Sequence, residues 1–212
     1  GMIGSGSGEV MRLREAEGYL REAVRISEAH DYDARYAEAW LALCLMLRGQ
    51  WDESAAIVMD LLPRAEGTNI SRLMALLALA RLRLRRGDPG VDEVLAEARG
   101  MAYGSDALQR IAPTACAHAE AAFMRGDLAR VQGEVNVALP LAESKGHPWF
   151  VGELNYWLWR AGAARQPGAG CAEPYALEMA GQWQAAAQAW EQVGCPYERA
   201  RALALGDSTA QQ

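Results

Sequence analysis

The chain is nearly without lysine: Lys145 is the only one in 212 residues, so arginine carries almost all of the positive charge. Alanine is abundant as well, and together the two biases read as the codon usage of a GC-rich genome. Histidine is scarce and scattered (His30, His118, His147), and Cys44, Cys116, Cys171 and Cys195 form no CxxC pair. Neither set has metal-ligand spacing. Thiols this far apart read as buried or half-buried groups in a reducing compartment. No apolar run reaches the roughly 18 residues that span a bilayer, and no signal peptide precedes the first helical pattern. A cytoplasmic chain of bacterial style is expected. Gly1 before Met2 reads as a tag-cleavage scar. The formal net charge of −6 opposes binding of nucleic-acid phosphate by this chain.

Catalytic signatures are missing in the same way. Gly4-Ser5-Gly6-Ser7-Gly8 has the glycines of a phosphate loop without its lysine, and Lys145-Gly146 has a lysine without a glycine-rich run. There is no GxSxG elbow, HExxH pair or EF-hand loop. Asp31 and Asp33 fit a polar turn better than a hydrolytic pair. With 51% hydrophobic and 23% charged residues the chain is nevertheless that of a folded domain.

What is present is a recurrence. Arg48-Gly49-Gln50-Trp51, Arg86-Gly87-Asp88-Pro89, Arg125-Gly126-Asp127-Leu128 and Ala180-Gly181-Gln182-Trp183 each end one helical pattern and open another. The glycines are 38, 39 and 55 residues apart, the period of a stack of similar units, with extra material in the last interval. Aligning Gly49 with Gly181 places Trp51 on Trp183, Ala55 on Ala187 and Val58 on Trp190, and Leu128, Val131 and Val135 repeat the stripe in the third unit. The physical reading is local. A left-handed glycine ends helix A, a large residue opens helix B, and a small residue three places later (Ser54, Ala186) lets the two helices approach. The pattern resembles the tetratricopeptide repeat, with a period longer than its 34 residues.

The expected fold is therefore all-α: an α-α superhelix of antiparallel hairpins with ten or eleven helices. Residues 1–8 are a flexible Gly/Ser lead, 9–207 a single repeat domain and 208–212 a tail. No strand-like alternation of useful length occurs. Asn69 and Ser105 are candidate N-caps, and Pro113 is expected to kink or start a helix. A loop runs from Gly162 to Cys171. Arg81, Arg83, Arg85 and Arg86 cluster at a helix C-terminus, where the dipole favours positive charge; an acidic partner is the alternative use. On the helix from Pro148 to Arg160, Glu153, Tyr156, Trp157 and Arg160 share one face, and Val151, Leu154 and Leu158 another. Two such faces suggest one that packs and one that lines a groove, which His118 and Glu120 from an earlier helix A could join, although a solvated or packed role suits each of those two better. The competing reading packs these aromatics between hairpins.

Longer segments narrow the reading. Gly152-Glu153-Leu154 with Tyr156-Trp157-Leu158-Trp159-Arg160, Glu173-Pro174-Tyr175-Ala176-Leu177, Ala180-Gly181-Gln182-Trp183 and Gly194-Cys195-Pro196-Tyr197-Glu198 are similar to one family. They resemble the tetratricopeptide-like region of large LuxR-type transcriptional regulators with an N-terminal ATPase domain. The likeness runs from about Glu9 onward. It implies a non-catalytic module for signal sensing or protein interaction, without the ATPase and helix-turn-helix parts. The implied partners are those flanking domains, another protein or a small-molecule effector, with no cofactor, metal, direct nucleic-acid contact or membrane. A stand-alone tetratricopeptide adaptor is the alternative.

Overall fold

The computed structural model describes residues 2–65, 69–104, 106–163 and 170–210. Among them are twelve helices and no strand. They divide into two compact units, Gly1–Gly104 and Ser105–Gln212. The first holds α1 (Met2–Glu9), α2 (Leu13–Ala29), α3 (Arg35–Leu47), α4 (Trp51–Arg64), α5 (Asn69–Arg86) and α6 (Val91–Ala102). The second holds α7 (Leu108–Met124), α8 (Leu128–Ser144), α9 (Pro148–Arg160), α10 (Glu173–Met179), α11 (Trp183–Val193) and α12 (Pro196–Ala210). Within the first, α3 packs on α4 and also on α5, and α5 on α6; within the second, α7 packs on α8 and α9, and α11 on α10 and α12. The all-α hairpin architecture expected from the period is the one observed.

The recurring glycines do what their position demands. Gly49, Gly87, Gly126 and Gly181 have φ of 75°, 77°, 76° and 72°, the left-handed region that costs a side chain about 1–2 kcal/mol. Each closes a Schellman turn. Gly49 N–H donates to the Met46 carbonyl at 3.2 Å and Gln50 N–H to that of Leu45 at 2.9 Å; Gly126 and Asp127 do the same to Phe123 and Ala122 at 2.9 and 3.0 Å. The large residue two places on has its own task in the first copy, where Trp51 Nε1 donates to the Met46 carbonyl at 3.0 Å. The small residue beyond it is explained too: buried Ser54 donates to the Ala42 carbonyl at 2.7 Å, tying α4 to α3 at close range.

Three features depart from the sequence reading. The Gly/Ser lead is helical, as α1, because it packs on α2 and α3 and so gains tertiary contacts that its propensity could not supply. Of the two roles expected of Pro113, the helix start is the one excluded: it is the sixth residue of α7, where its missing N–H leaves the Gln109 carbonyl without the usual helical donor. α12 continues through Ala210 and so takes in most of the expected tail. The capping roles assigned to Asn69 and Ser105, and residues 164–169 of the Gly162–Cys171 loop, lie outside the described side chains and residues.

The arginines at the end of α5 serve the first unit. Arg83 Nη1 donates to the Gly90 carbonyl at 3.1 Å, Arg86 pairs with Asp52 at 2.7 Å and lies 5.8 Å from the Trp51 ring, and Arg81 is buried. Cys44 is buried with Sγ 3.2 Å from the Leu13 carbonyl, and burial pushes its thiol up to about 12, so it carries no reactive thiolate near neutral pH.

Close helix contact is most exacting at Gly152, where a Cβ would stand 2.6 Å from Tyr175 Cδ2 and 3.2 Å from Cγ. Gly152→Ala should cost about 1–3 kcal/mol in urea unfolding followed by tryptophan emission. Gly133→Ala, on the exposed side of α8 with nothing within 4 Å, should instead stabilise by about 0.5–1 kcal/mol.

Candidate interaction site

In the second unit, α9 is the central element. Pro148 sits at its first turn, and the His147 side chain caps it, accepting from Phe150 N–H through Nδ1 at 3.4 Å. Val151, Leu154 and Leu158 are buried as expected. So are Tyr156 (0% exposed) and Trp157 (3%), which leaves only Glu153 and Arg160 half-buried on the face expected to line a groove. In a stacked array a helix has neighbours on more than one side, and the aromatic face of α9 meets them: Phe123 of α7, Tyr175 of α10 and Arg201 of α12.

The polar groups form a continuous chain through these aromatics. Arg160 lies 4.5 Å from the Phe123 ring centre and donates through Nη1 to Tyr156 Oη at 2.7 Å. The face of the Tyr156 ring carries the Arg201 guanidinium at 4.1 Å. Arg201 Nη2 donates to Glu178 Oε1 at 2.8 Å, and the same oxygen accepts from Trp190 Nε1, also at 2.8 Å. Tyr175 stands edge-on to the Trp190 ring at 4.9 Å. Glu178 has no exposed surface, and the Arg201 side chain only 12%. Five helices thus meet in one cluster.

Burial alone would lower the Arg201 pKa, but Tyr156, Glu178 and Glu198 around it outweigh that and raise it well above the ordinary value. Burial pushes the Tyr156 phenol up to about 12; Glu178 adds to this, while Arg201 and Arg160 oppose it. Arg201 is therefore a fixed cation and Tyr156 a fixed neutral phenol at any physiological pH. Glu178 Oε2, Arg201 Nε and Trp157 Nε1 have no hydrogen-bond partner among the described residues. The cluster joins α9, α10, α11 and α12.

Among the residues singled out in sequence, the structure brings Tyr156, Trp157 and Arg160 together. His118 and Glu120 are buried on α7, with His118 Nδ1 3.9 Å from Glu134 Oε1 on α8, an oxygen that also faces Arg130 Nε at 3.6 Å. Arg201 and Glu178, at the core of the cluster, are not visible as such in sequence, because Ala200-Arg201-Ala202 and Leu177-Glu178-Met179 look like solvated helix charges, and Trp190 stands out there only as a stripe position. The available signal was Trp190 at the stripe position with a carboxylate twelve residues before it. No group of three or more His, Cys, Asp or Glu among the described residues is arranged to hold a metal. No helix is long and apolar enough to cross a membrane, among the described residues.

Next to the cluster the surface opens. A cleft of about 550 Å³ is lined by Gly181, Gln182, Trp183, Leu203 and Gly206, where α11 begins and α12 passes over it. Trp183 is half-buried with its ring 6.0 Å from that of Trp159, and Leu203 is exposed. In the first unit, a polar cleft of about 510 Å³ at the α2–α3 turn is lined by Asp31, Tyr32, Asp33, Arg35, Glu38 and Arg64. There Arg35 is spent on Asp33 and on the Arg64 carbonyl, both at 2.8 Å. Compared with protein-family models, with curated proteins and with solved structures, the chain shows no match.

Two outcomes follow from the cluster. Arg201→Ala, which strips a buried carboxylate of its charge partner, should destabilise the chain by about 3–5 kcal/mol in denaturant titration, and Arg201→Met with Glu178→Leu should recover most of that loss. The raised Tyr156 pKa acts at alkaline pH. Its folded value of about 12 exceeds the ordinary 10, so the stability it contributes is complete below pH 10 and disappears as pH rises towards 12. Unfolding midpoints measured from pH 9 to 12 should fall less steeply for Tyr156→Phe than for the parent chain, by an amount near 2–3 kcal/mol in total.

Proposed function

We propose that this chain is a non-catalytic interaction and signal-sensing module of a LuxR-type transcriptional regulator, working in the cytoplasm. The segments from Gly152 to Glu198 carry the regulator resemblance, and the glycine-turn hairpins support a binding scaffold. The observation that carries the binding reading is the cleft beside Trp183 and Leu203: a concavity of about 550 Å³ in which a half-buried tryptophan and an exposed leucine sit beside the polar side chains of Gln182 and Gln184. The non-catalytic reading rests on the state of the polar groups. Tyr156, Glu178 and Arg201 are buried in mutual contact, and Tyr156 and Arg201 keep a neutral phenol and a cation near neutral pH, so the cluster supports a role in holding position.

In this reading the partner is the ATPase or helix-turn-helix part of the regulator, seated through an apolar side chain on Trp183 and Leu203. A small-molecule effector would act by favouring one orientation of neighbouring hairpins, since hairpins in an array contact chiefly their neighbours. The test is calorimetric titration of the chain with the ATPase and helix-turn-helix modules encoded alongside it. Saturable binding of one of them is expected, and Leu203→Arg should weaken it at least about 10-fold while leaving the melting temperature unchanged. Binding of neither module, or binding indifferent to Leu203→Arg, would refute the proposal.

A further inference from the structure

The helix least able to stand alone is α1. Three of its eight residues are glycine (Gly4, Gly6, Gly8) and two are serine, a composition in which each glycine costs about 1 kcal/mol relative to alanine. Eight residues are also too few for an independent helix in water. What holds it is docking. Gly4 and Gly8, one turn apart, face the protein: a Cβ at Gly4 would stand 2.7 Å from Leu20 Cγ, and one at Gly8 3.9 Å from Ala16 Cβ and Trp40 Cε3. Gly6, between them, meets nothing within 4 Å. Tyr36 donates its hydroxyl to Ser5 Oγ at 2.8 Å. On the outer side Met2 and Ile3 are 84% and 70% exposed.

The joint that follows is strained. Arg12 N–H donates to the Ser7 carbonyl at 2.8 Å and Met11 N–H to that of Gly8 at 3.0 Å, the same Schellman closure used by the hairpins. In the recurring turns at Gly49, Gly87, Gly126 and Gly181 the left-handed position belongs to glycine, and at the α2–α3 turn to Asp31, a residue type that tolerates it (φ 56°). Here it belongs to Met11, at φ 59°. A methionine pays a steric penalty there that α1 can escape by undocking.

From these observations we infer that α1 is a strap, hinged at Met11, which reversibly covers an apolar groove on α2 and α3 floored by Ala16, Leu20, Tyr36 and Trp40. The occupant of the groove is Met2–Glu9 itself. A competitor must present the same chemistry, a short helix with two small residues one turn apart. Release exposes the floor and relaxes Met11, while α3, anchored by α4 and α5, stays in place. The strap belongs to the first unit and does not depend on the regulator reading, whose cleft is in the second.

Amide hydrogen exchange on the full chain tests this. Residues 6–9 should exchange by local opening at least about 100-fold faster than the buried amides of α3, with a rate insensitive to low denaturant. Met11→Gly should slow exchange in α1 about 5-fold and leave α3 unchanged, because it removes strain from the docked state alone. Gly4→Ala, which collides with Leu20, should bring α1 to unprotected rates and shift Trp40 emission to the red, again with α3 unchanged. Exchange of α1 only in step with α3, a Met11→Gly variant that exchanges as fast as the parent or faster, or loss of α3 protection in Gly4→Ala would each overturn the strap.

Discussion

A left-handed backbone at four recurring positions is the constraint on which the rest of this structure depends. Gly49, Gly87, Gly126 and Gly181 each turn the chain back within two residues, and only that tight reversal brings the next helix against the one just ended. The reversal fixes which side chains then meet: Ser54 finds the Ala42 carbonyl, and in the first copy Trp51 finds that of Met46. A looser turn would leave the last carbonyls of α3 unsatisfied and would move the small-residue contact out of register.

Short-range pairing has a consequence for the helices in the middle. α5 is buried without interruption from Leu73 to Leu82, and α9 is buried on both its aliphatic and its aromatic sides. Such helices cannot present a broad binding face. In the second unit, Trp183, Leu203 and Arg160 remain accessible at turns and rims. The second unit adds an ion pair that few cores contain. Arg201 and Glu178 are paired at 2.8 Å and almost dry, and cation–π contact with Tyr156 and donation from Trp190 supply part of the solvation they have lost. The cluster ties α9, α10, α11 and α12 into one arrangement, so the relative angle of the last helices is set by chemistry as well as by apolar contact.

The hairpin pattern was legible in the sequence because glycine's role at a turn is local: the left-handed position, the following large residue and the small residue all lie within six residues of one another. The helix expected from about Pro148 to Arg160 was legible for the same reason, with a proline at its start. The fate of its aromatic face was not. Periodicity says that Tyr156 and Trp157 share a side of the helix, but whether that side meets solvent or α10 and α12 is a tertiary fact. Arg201 was hidden by its surroundings, since an arginine flanked by alanines is the ordinary composition of a wet helix. α1 was hidden because propensity argues against it, and only the approach of Gly4 to Leu20 and of Gly8 to Trp40 explains it. Local rules carried the turns; contacts distant in sequence decided the site.

The glycine constraint can be separated from every other role of the residue at Gly126, where a Cβ would meet nothing within 4 Å. Semisynthesis through Cys116 allows either enantiomer of alanine to be placed there. If the left-handed turn governs the hairpin, L-alanine destabilises the chain by about 1–2 kcal/mol in equilibrium unfolding, and D-alanine, for which this φ is relaxed, matches glycine or stabilises by up to about 1 kcal/mol. Equal stability of the two enantiomers would contradict the account.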